Sequence, residues 1–151
     1  MVLEVKIGLA QIAPRLGDID ANLALHLQWI EEAAAQGVQL LVFPELSLTG
    51  YLLKDLVASV AISLTNWNDP YLRALAEASA IHNMDIVFGC VEEDRRHRFY
   101  VSAAYLHEGE IQHVHRKVYL PTYALFDEGR FFAAGDGFRS FDTVFGRAGI
   151  L

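Results

Sequence analysis

Cysteine is nearly absent from this sequence, since Cys90 is the only one in 151 residues. A lone thiol excludes an internal disulfide and every metal motif built from several cysteines. Long apolar runs are missing too. No stretch approaches the roughly 20 residues of a membrane helix, and residues 1–6 lack the basic start of a signal peptide. We therefore expect a cytoplasmic chain with no membrane partner.

Basic residues are also few, because 12 lysines and arginines stand against 19 acidic residues and leave a formal net charge of -7. That field repels phosphate backbones and no basic stripe reverses it, so we expect no nucleic-acid partner. A Gly-x-Ser-x-Gly elbow and a glycine-rich phosphate loop are missing, which argues against a serine hydrolase or a nucleotide site. The composition, with 53% hydrophobic and 21% charged residues, predicts a soluble globular piece within the size of one domain over residues 1–151.

The first third of the chain predicts a strand, a helix and a second strand. Residues 5–12 are rich in β-branched side chains and predict a core strand, and residues 38–43 predict a strand covered on both faces. The helix between them would be capped by Asp18 or Asp20 and would end at Gly37. Its apolar stripe would consist of Leu23, Leu27, Ile30 and Ala34. Such βαβ units have parallel strands, with functional groups beyond the strand ends.

The remaining elements follow from apolar runs and turn residues. Helices are predicted at 52–64 and from Asn68 or Asp69, with Pro70 in the first turn, to about Asn83. Strands are predicted at 86–91, 99–106 and 111–118, the first two forming a hairpin, and another strand begins at 146–151. Because domains usually finish on a completed element, this last run predicts that the domain continues past Leu151.

Two charged side chains stand at predicted strand ends. Glu45 lies among apolar neighbours, a setting that raises the pKa of a carboxylate by desolvation and suits a general base, but a glutamate can also cap or pair locally in a turn. Lys117 could donate to a developing oxyanion, or it could be a solvated charge at a sheet edge. Position alone decides neither case.

Together, the two segments resemble the motifs of the nitrilase, or carbon-nitrogen hydrolase, superfamily. Phe43-Pro44-Glu45-Leu46 with Thr49-Gly50-Tyr51 is similar to its glutamate motif, and residues 116–121 with 126–132 are similar to its lysine motif. The resemblance covers the whole chain and implies an α/β fold, the α-β-β-α sandwich, incomplete in this chain. Residues 117–123 also resemble the glutaminase domain of glutamine-dependent NAD synthetases.

This resemblance implies a Glu-Lys-Cys hydrolase for a small amide, nitrile or glutamine-like substrate, with no metal and no cofactor. Glu45 would be the base, Lys117 would stabilise the charged intermediate, and Glu128 would orient Lys117. The family's cysteine follows a strand similar to 146–151, so the nucleophile would lie outside this chain and the fragment itself would be inactive. The resemblance also implies a substrate pocket, although tyrosines near strand ends often only pack there. Its lining would comprise Tyr51, Tyr123 and Phe126.

Three other side chains carry alternative hypotheses. Cys90 could be a nucleophile or a redox centre, but its apolar strand predicts a raised pKa and an inert thiol. His113 and His115 share a strand face and could be two zinc ligands. A hydrolytic zinc site needs a third ligand, so we predict exposed strand histidines instead.

An incomplete sandwich would leave apolar surface bare. Burial of such surface contributes about 25 cal/mol per Å², so a few hundred Å² without cover would cost several kcal/mol. We therefore expect the chain to pair with another copy, as a homo-oligomer, or with the missing half of its domain. The rival to a hydrolase is a non-catalytic interaction module that keeps a truncated hydrolase scaffold.

Overall fold

A five-stranded mixed sheet forms the centre of the computed structural model, which describes residues 4–151. Its strands β1 to β5 lie side by side in chain order. The first three are parallel and the last three are antiparallel, so the predicted βαβ unit and hairpin are confirmed. The strands span Ile7–Leu9, Leu40–Val42, Asp85–Glu93, Phe99–His107 and Glu110–Arg116.

Four α-helices connect or flank these strands: α1 at Ile19–Ala35, α2 at Val57–Val60, α3 at Pro70–His82 and α4 at Glu128–Phe131. The predicted caps of the two long helices are confirmed. Asp18 accepts the Ala21 N–H at the start of α1, and Asp69 accepts two N–H groups at the start of α3. Helix α3 ends at Asn83, whose left-handed backbone closes the last turn.

The predicted helix over 52–64 is wrong. The structure has a 3₁₀ turn at Lys54–Leu56 followed by the single turn of α2, and the chain is extended from Ala61. Ile62 then forms a parallel bridge with Glu92. The physical reason is that every second side chain of residues 60–64 is buried, a spacing typical of an extended segment and not of a helix. The three buried side chains are Val60, Ile62 and Leu64.

The face of α1 that is buried differs from the apolar stripe predicted from the sequence. Leu23, Leu27 and Ala34 are half-buried, and only Ile30 of the predicted four is fully buried. The stripe that is buried consists of Asn22, His26, Ile30 and Ala33. Two of these residues are polar, so a search for apolar periodicity alone could not find the stripe.

Helices α1 and α3 cover one face of the sheet. Alternate strand residues point into this layer and form the main core with both helices. The strand residues of this core are Leu41, Ile86, Phe88, Cys90, Ala104 and Leu106. No helix in the described part of the chain is long and apolar enough to cross a membrane.

The opposite face is only partly covered. One part lies under residues 46–60, and another lies under a hairpin of β6, Ser140–Thr143, and β7, Gly146–Gly149. Of these two strands only β7 falls in a predicted strand. Between the covers runs an open apolar groove of about 690 Å³, which we call the sheet groove. It is lined by Val42, Val87, Ala103, Tyr119, Phe138, Ile150 and others.

Two predictions about strand burial are corrected on this face. Strand β1 is an edge strand, not a core strand, and Ile7 and Leu9 are 55% and 78% exposed. Strand β2 is covered on one face only, because Leu41 is buried while Leu40 and Val42 remain partly exposed. Nothing among residues 4–151 covers their outer face at this edge of the sheet.

Candidate active site

Glu45 stands at the apex of a tight turn that begins directly after β2. The Ser47 N–H donates to the Pro44 carbonyl at 3.2 Å, and Leu46 between them has a left-handed backbone with φ of 50°. The Glu45 side chain is 44% exposed, so the desolvated carboxylate expected from its apolar neighbours is not found in residues 4–151. The turn thus presents its carboxylate at the mouth of the sheet groove.

Gly89 in β3 allows this turn to lie directly against the sheet. A Cβ at this position would stand 2.5 Å from the Leu46 nitrogen and 2.8 Å from the Pro44 carbonyl oxygen. The Leu48 N–H donates to the Gly89 carbonyl at 2.9 Å. Only glycine leaves room for this approach. The contact with β3 therefore sets the distance between the turn and the sheet.

Lys117 follows the last residue of β5. Its N–H donates to the Val101 carbonyl, and its carbonyl accepts from the Gly135 N–H, each at 2.8 Å. Its backbone is therefore held from both sides at the strand end. The side chain extends toward the turn of Glu45 and is 26% exposed.

The three charged side chains singled out from the sequence meet at one place. The Lys117 ammonium donates to Glu45 Oε1 at 2.7 Å and to Glu128 Oε1 at 3.1 Å, although Glu45 and Lys117 are 72 residues apart. Glu128 comes from the start of α4 and is buried. The Tyr51 hydroxyl donates to the same Glu128 oxygen. One ammonium thus bridges two carboxylates.

The electrostatics of the cluster follow from these contacts. Desolvation acts to lower the pKa of Lys117, but its hydrogen bonds with Glu45 and Glu128 and their negative charges outweigh it, so the pKa lies above its ordinary value. Desolvation, and then the hydrogen bond to Glu128, raises the pKa of Tyr51. Lys117 is therefore a fixed cation, and Tyr51 is a hydrogen-bond donor at neutral pH.

The predicted pocket residues are brought together only in part. Tyr51, Phe126 and Glu128 line a cavity of about 340 Å³, whereas Glu45 and Lys117 line the sheet groove. The contact between Lys117 and Glu128 joins the two recesses. Tyr123 stacks edge-on against Phe126 at 5.7 Å but is 70% exposed.

Cys90 and the histidine pair lie apart from this cluster. Cys90 is fully buried between the sheet and its helices, and this burial, followed by the charge of Glu92, raises the pKa of its thiol. The expectation of exposed histidines is wrong. His115 is only 6% exposed and stacks on Phe138, while His113 stacks on Phe141 at 4.2 Å.

The hairpin β6–β7 explains the burial of the histidines. Phe141 lies in β6 and Phe138 lies just before it, and the sequence did not reveal this strand. Desolvation lowers the pKa of both histidines. Within residues 4–151, no three His, Cys, Asp or Glu side chains converge to hold a metal ion.

Comparison with known families agrees with this geometry. The model of the carbon-nitrogen hydrolase family matches residues 6–151, which is nearly the whole chain. The chain belongs to the carbon-nitrogen hydrolase family. The α/β fold expected from the two motifs, a sheet flanked by helices, is thereby confirmed.

Among curated relatives, the glutamine-dependent NAD(+) synthetase of Acinetobacter baylyi is 34% identical over 97% of the chain. The solved glutamine-dependent NAD+ synthetase of Acinetobacter baumannii is 32% identical over 97% of the chain, with a TM-score of 0.85. An amidase from Nesterenkonia sp. has the same fold, with a TM-score of 0.81 at 23% identity over 99% of the chain. The chain spans 26%, 27% and 56% of these three proteins, respectively.

Sequence reasoning missed a buried chain of polar groups behind the turn of Glu45. His26 Nδ1 lies 2.7 Å from the Asn22 carbonyl, and Nε2 lies 2.9 Å from Ser47 Oγ. Ser47 Oγ accepts the Gly89 N–H at 3.2 Å. The signal in the sequence was the spacing of Asn22 and His26 at i and i+4, in register with Ile30.

The burial of His26 predicts a pH-dependent stability. Desolvation lowers the pKa of His26 from 6.5 to about 4, so the unfolded chain binds a proton that the folded chain excludes. The neutral, buried imidazole therefore contributes its full stabilisation above pH 6.5. As the pH falls toward 4, the free energy of unfolding decreases by about 3 kcal/mol in total. The free energy of unfolding, measured in urea by intrinsic tryptophan fluorescence, should therefore fall more between pH 7 and pH 4.5 in the wild type than in His26→Leu. Equal losses in both proteins would contradict the prediction.

Proposed function

We propose that the chain carries the base and the cationic stabiliser of an enzyme that hydrolyses a carbon-nitrogen bond other than a peptide bond, in a small amide-like substrate. The observation that carries this proposal is the contact of Lys117 with both Glu45 and Glu128 at the end of the sheet groove. A carboxylate beside a fixed ammonium combines a proton acceptor with a partner for a developing oxyanion.

The third group is a cysteine thiol outside residues 1–151, since Cys90 is buried on the other face of the sheet. Glu45 takes the thiol proton as sulfur attacks the substrate carbonyl carbon, and the C=O electron pair moves to oxygen beside Lys117. Collapse of this intermediate breaks the C–N bond, and ammonia leaves with the proton from Glu45. Water, deprotonated by Glu45, then attacks the thioester carbon and displaces the thiolate, which takes the proton back from Glu45 as the carboxylic acid is released.

Glu128 orients Lys117 in this scheme. One of its oxygens binds both Lys117 and the Tyr51 hydroxyl, which fixes the ammonium between the two carboxylates. Its other oxygen, Oε2, is buried and has no partner among residues 4–151. Tyr51, Phe126 and Tyr123 supply the aromatic wall beside it.

Glutamine is the substrate that the comparisons favour, because the relatives and the structure above 30% identity are glutamine-dependent NAD synthetases. In that case the domain supplies ammonia to a synthetase. The rival is a free-standing amidase or nitrilase, whose likeness here rests on the fold. Activity on glutamine but not on simple aliphatic amides and nitriles distinguishes the first from the second.

The sheet groove needs a cover in this proposal. The exposed side chains of Ile7 and Leu9 on β1, together with the apolar lining of the groove, form an apolar surface that the described residues leave uncovered. We propose that the rest of the hydrolase domain, which brings the cysteine, packs on this face. Alternatively, a second copy of the 151-residue chain covers this face in a homo-oligomer. Sedimentation of that fragment as a stable monomer with a cooperative melt would oppose both covers.

The test is ammonia release by the full-length protein from glutamine and from a panel of aliphatic amides and nitriles. The blank is the double variant Glu45→Gln with Lys117→Met, which removes both proposed groups. Release from at least one substrate, well above the blank, supports the proposal. No release above the blank from any substrate rejects it and favours a non-catalytic module. A native mass of 16.9 kDa, equal to this chain alone, would favour the same alternative.

A further inference from the structure

His26 contacts one residue before Glu45 and one residue after it. Its imidazole ring stacks on Phe43, two residues before Glu45, with ring centroids 4.2 Å apart and planes 29° apart. Its Nε2 bonds to Ser47 Oγ, two residues after Glu45, at 2.9 Å. His26 is fully buried and does not reach the groove residues Glu45 and Lys117 by any hydrogen bond of the described chain.

The hydrogen bonds of His26 fix its proton. Nδ1 lies against the Asn22 carbonyl, which can only accept, so Nδ1 carries the hydrogen. In the neutral ring Nε2 is then an acceptor, and the Ser47 hydroxyl donates to it at 2.9 Å in preference to the Gly89 carbonyl, which lies farther away at 3.4 Å. Ser47 Oγ is left to accept the Gly89 N–H at 3.2 Å. The chain of bonds therefore runs in one direction, from β3 through the turn to α1.

Asn22 ties the same turn to α1 a second time. Its side-chain amide donates to the Leu48 carbonyl at 3.0 Å and to the Arg15 carbonyl at 2.8 Å. Leu46 inside the turn keeps a left-handed backbone, which an L-residue with a branched side chain adopts only when its surroundings impose it. The contacts of Asn22 and His26 with the turn are such surroundings.

We propose that His26 is a positioning residue for Glu45, acting through Phe43 and Ser47; the inference rests on the proposed function of Glu45 as the base. Loss of the imidazole lets the turn move while the core of α1 stays in place. A displacement of about 1 Å at a proton-transferring group costs about 100-fold in rate. The loss falls on kcat, because Glu45 acts on the thiol and on the leaving group and does not hold the substrate.

The experiment compares four variants of the full-length protein with the wild type in ammonia release. His26→Leu is expected to lower kcat by about 10- to 100-fold with KM changed less than about twofold. Ser47→Ala, which removes the same hydrogen bond from the side of the turn, should lower kcat in the same direction even if His26→Leu folds poorly. His26→Gln should recover part of the loss, since its amide oxygen can accept from Ser47. Ile30→Ala, one turn along α1 and equally buried, is the matched control and should keep the wild-type kcat per folded molecule.

A second measurement does not depend on turnover. Lys117 owes part of its raised pKa to Glu45. The ¹³Cε resonance of Lys117 should therefore titrate at lower pH in His26→Leu and Ser47→Ala, and at the wild-type pH in Ile30→Ala. Unchanged kcat and unchanged Lys117 titration in both turn variants, or equal losses in Ile30→Ala, would overturn the inference. A wild type without turnover would reject the proposed function instead, while the Lys117 titration would still test the positioning.

Discussion

Replacing Glu45 with glutamine in the full-length protein is expected to lower kcat by about 10²- to 10⁴-fold. Glutamine keeps the size of the side chain and can still accept a hydrogen bond from Lys117, but its amide cannot take the thiol proton. The Lys117 ammonium also keeps its contact with Glu128, so the site should remain folded. KM for the amide should change little, because the lost group acts on protons and not on substrate binding.

Glu110→Gln is the matched control for this measurement. Glu110 is an exposed residue at the start of β5, the end of the strand away from Lys117. Its neutralisation changes the net charge equally and should leave kcat unchanged. Steady-state ammonia release by wild type, variant and control decides the case. A Glu45→Gln protein with more than about a tenth of wild-type kcat would exclude Glu45 as the base.

The parts of the fold that could be predicted are those with local physical signals. The cap at Asp69 with Pro70 behind it fixes the start of α3, because both act within one helical turn. The apolar runs at 38–43 and 86–91 likewise mark strands whatever their neighbours are. The convergence of Glu45 and Lys117 was implied only by the resemblance of the two segments to the family's motifs, because two strands separate β2 from β5 in the sheet.

The parts that could not be predicted depend on tertiary partners. No feature of residues 5–12 indicates that β1 is an edge strand, because the order of the strands depends on the whole sheet. The segment after α2 reads as helical in composition, yet Ile62 gains backbone bonds to Val91 and Glu93 that an isolated helix cannot offer. His115 is buried by Phe138, which lies just before β6, a strand that the sequence did not reveal.

The polar half of the site was missed for a related reason. His26 and Asn22 are buried because the turn after β2 gives them hydrogen-bond partners, and that turn is far along the chain. A polar residue on the buried side of a helix is costly without such partners. Its presence at i and i+4 in the stripe of Ile30 is therefore evidence for a partner, although the sequence does not say which one.

Gly89→Ala tests the placement of the whole turn and should be strongly damaging for a change of one methyl group. Its Cβ would stand 2.5 Å from the Leu46 nitrogen, 2.8 Å from the Pro44 oxygen and 3.1 Å from the Glu45 carbonyl carbon. All three are backbone atoms, so no side-chain rotation relieves the contact. We expect the turn to move away from β3 by about 1 Å, with kcat lowered by about 100-fold and the free energy of unfolding lowered by about 1–3 kcal/mol.

Gly8→Ala separates this effect from the general cost of a methyl group in a strand. Its Cβ would also come close to another group, 2.9 Å from Leu41 Cδ1 and 3.1 Å from a methyl of Val38, but both are ends of side chains that can rotate. Gly8 lies on β1, away from the turn, so a modest change in stability and a wild-type kcat are expected. If Gly89→Ala also kept the wild-type kcat, the close approach of the turn to β3 would have no part in placing Glu45. The height of the carboxylate above the sheet would then be set from the side of α1 alone, through Ser47 and His26.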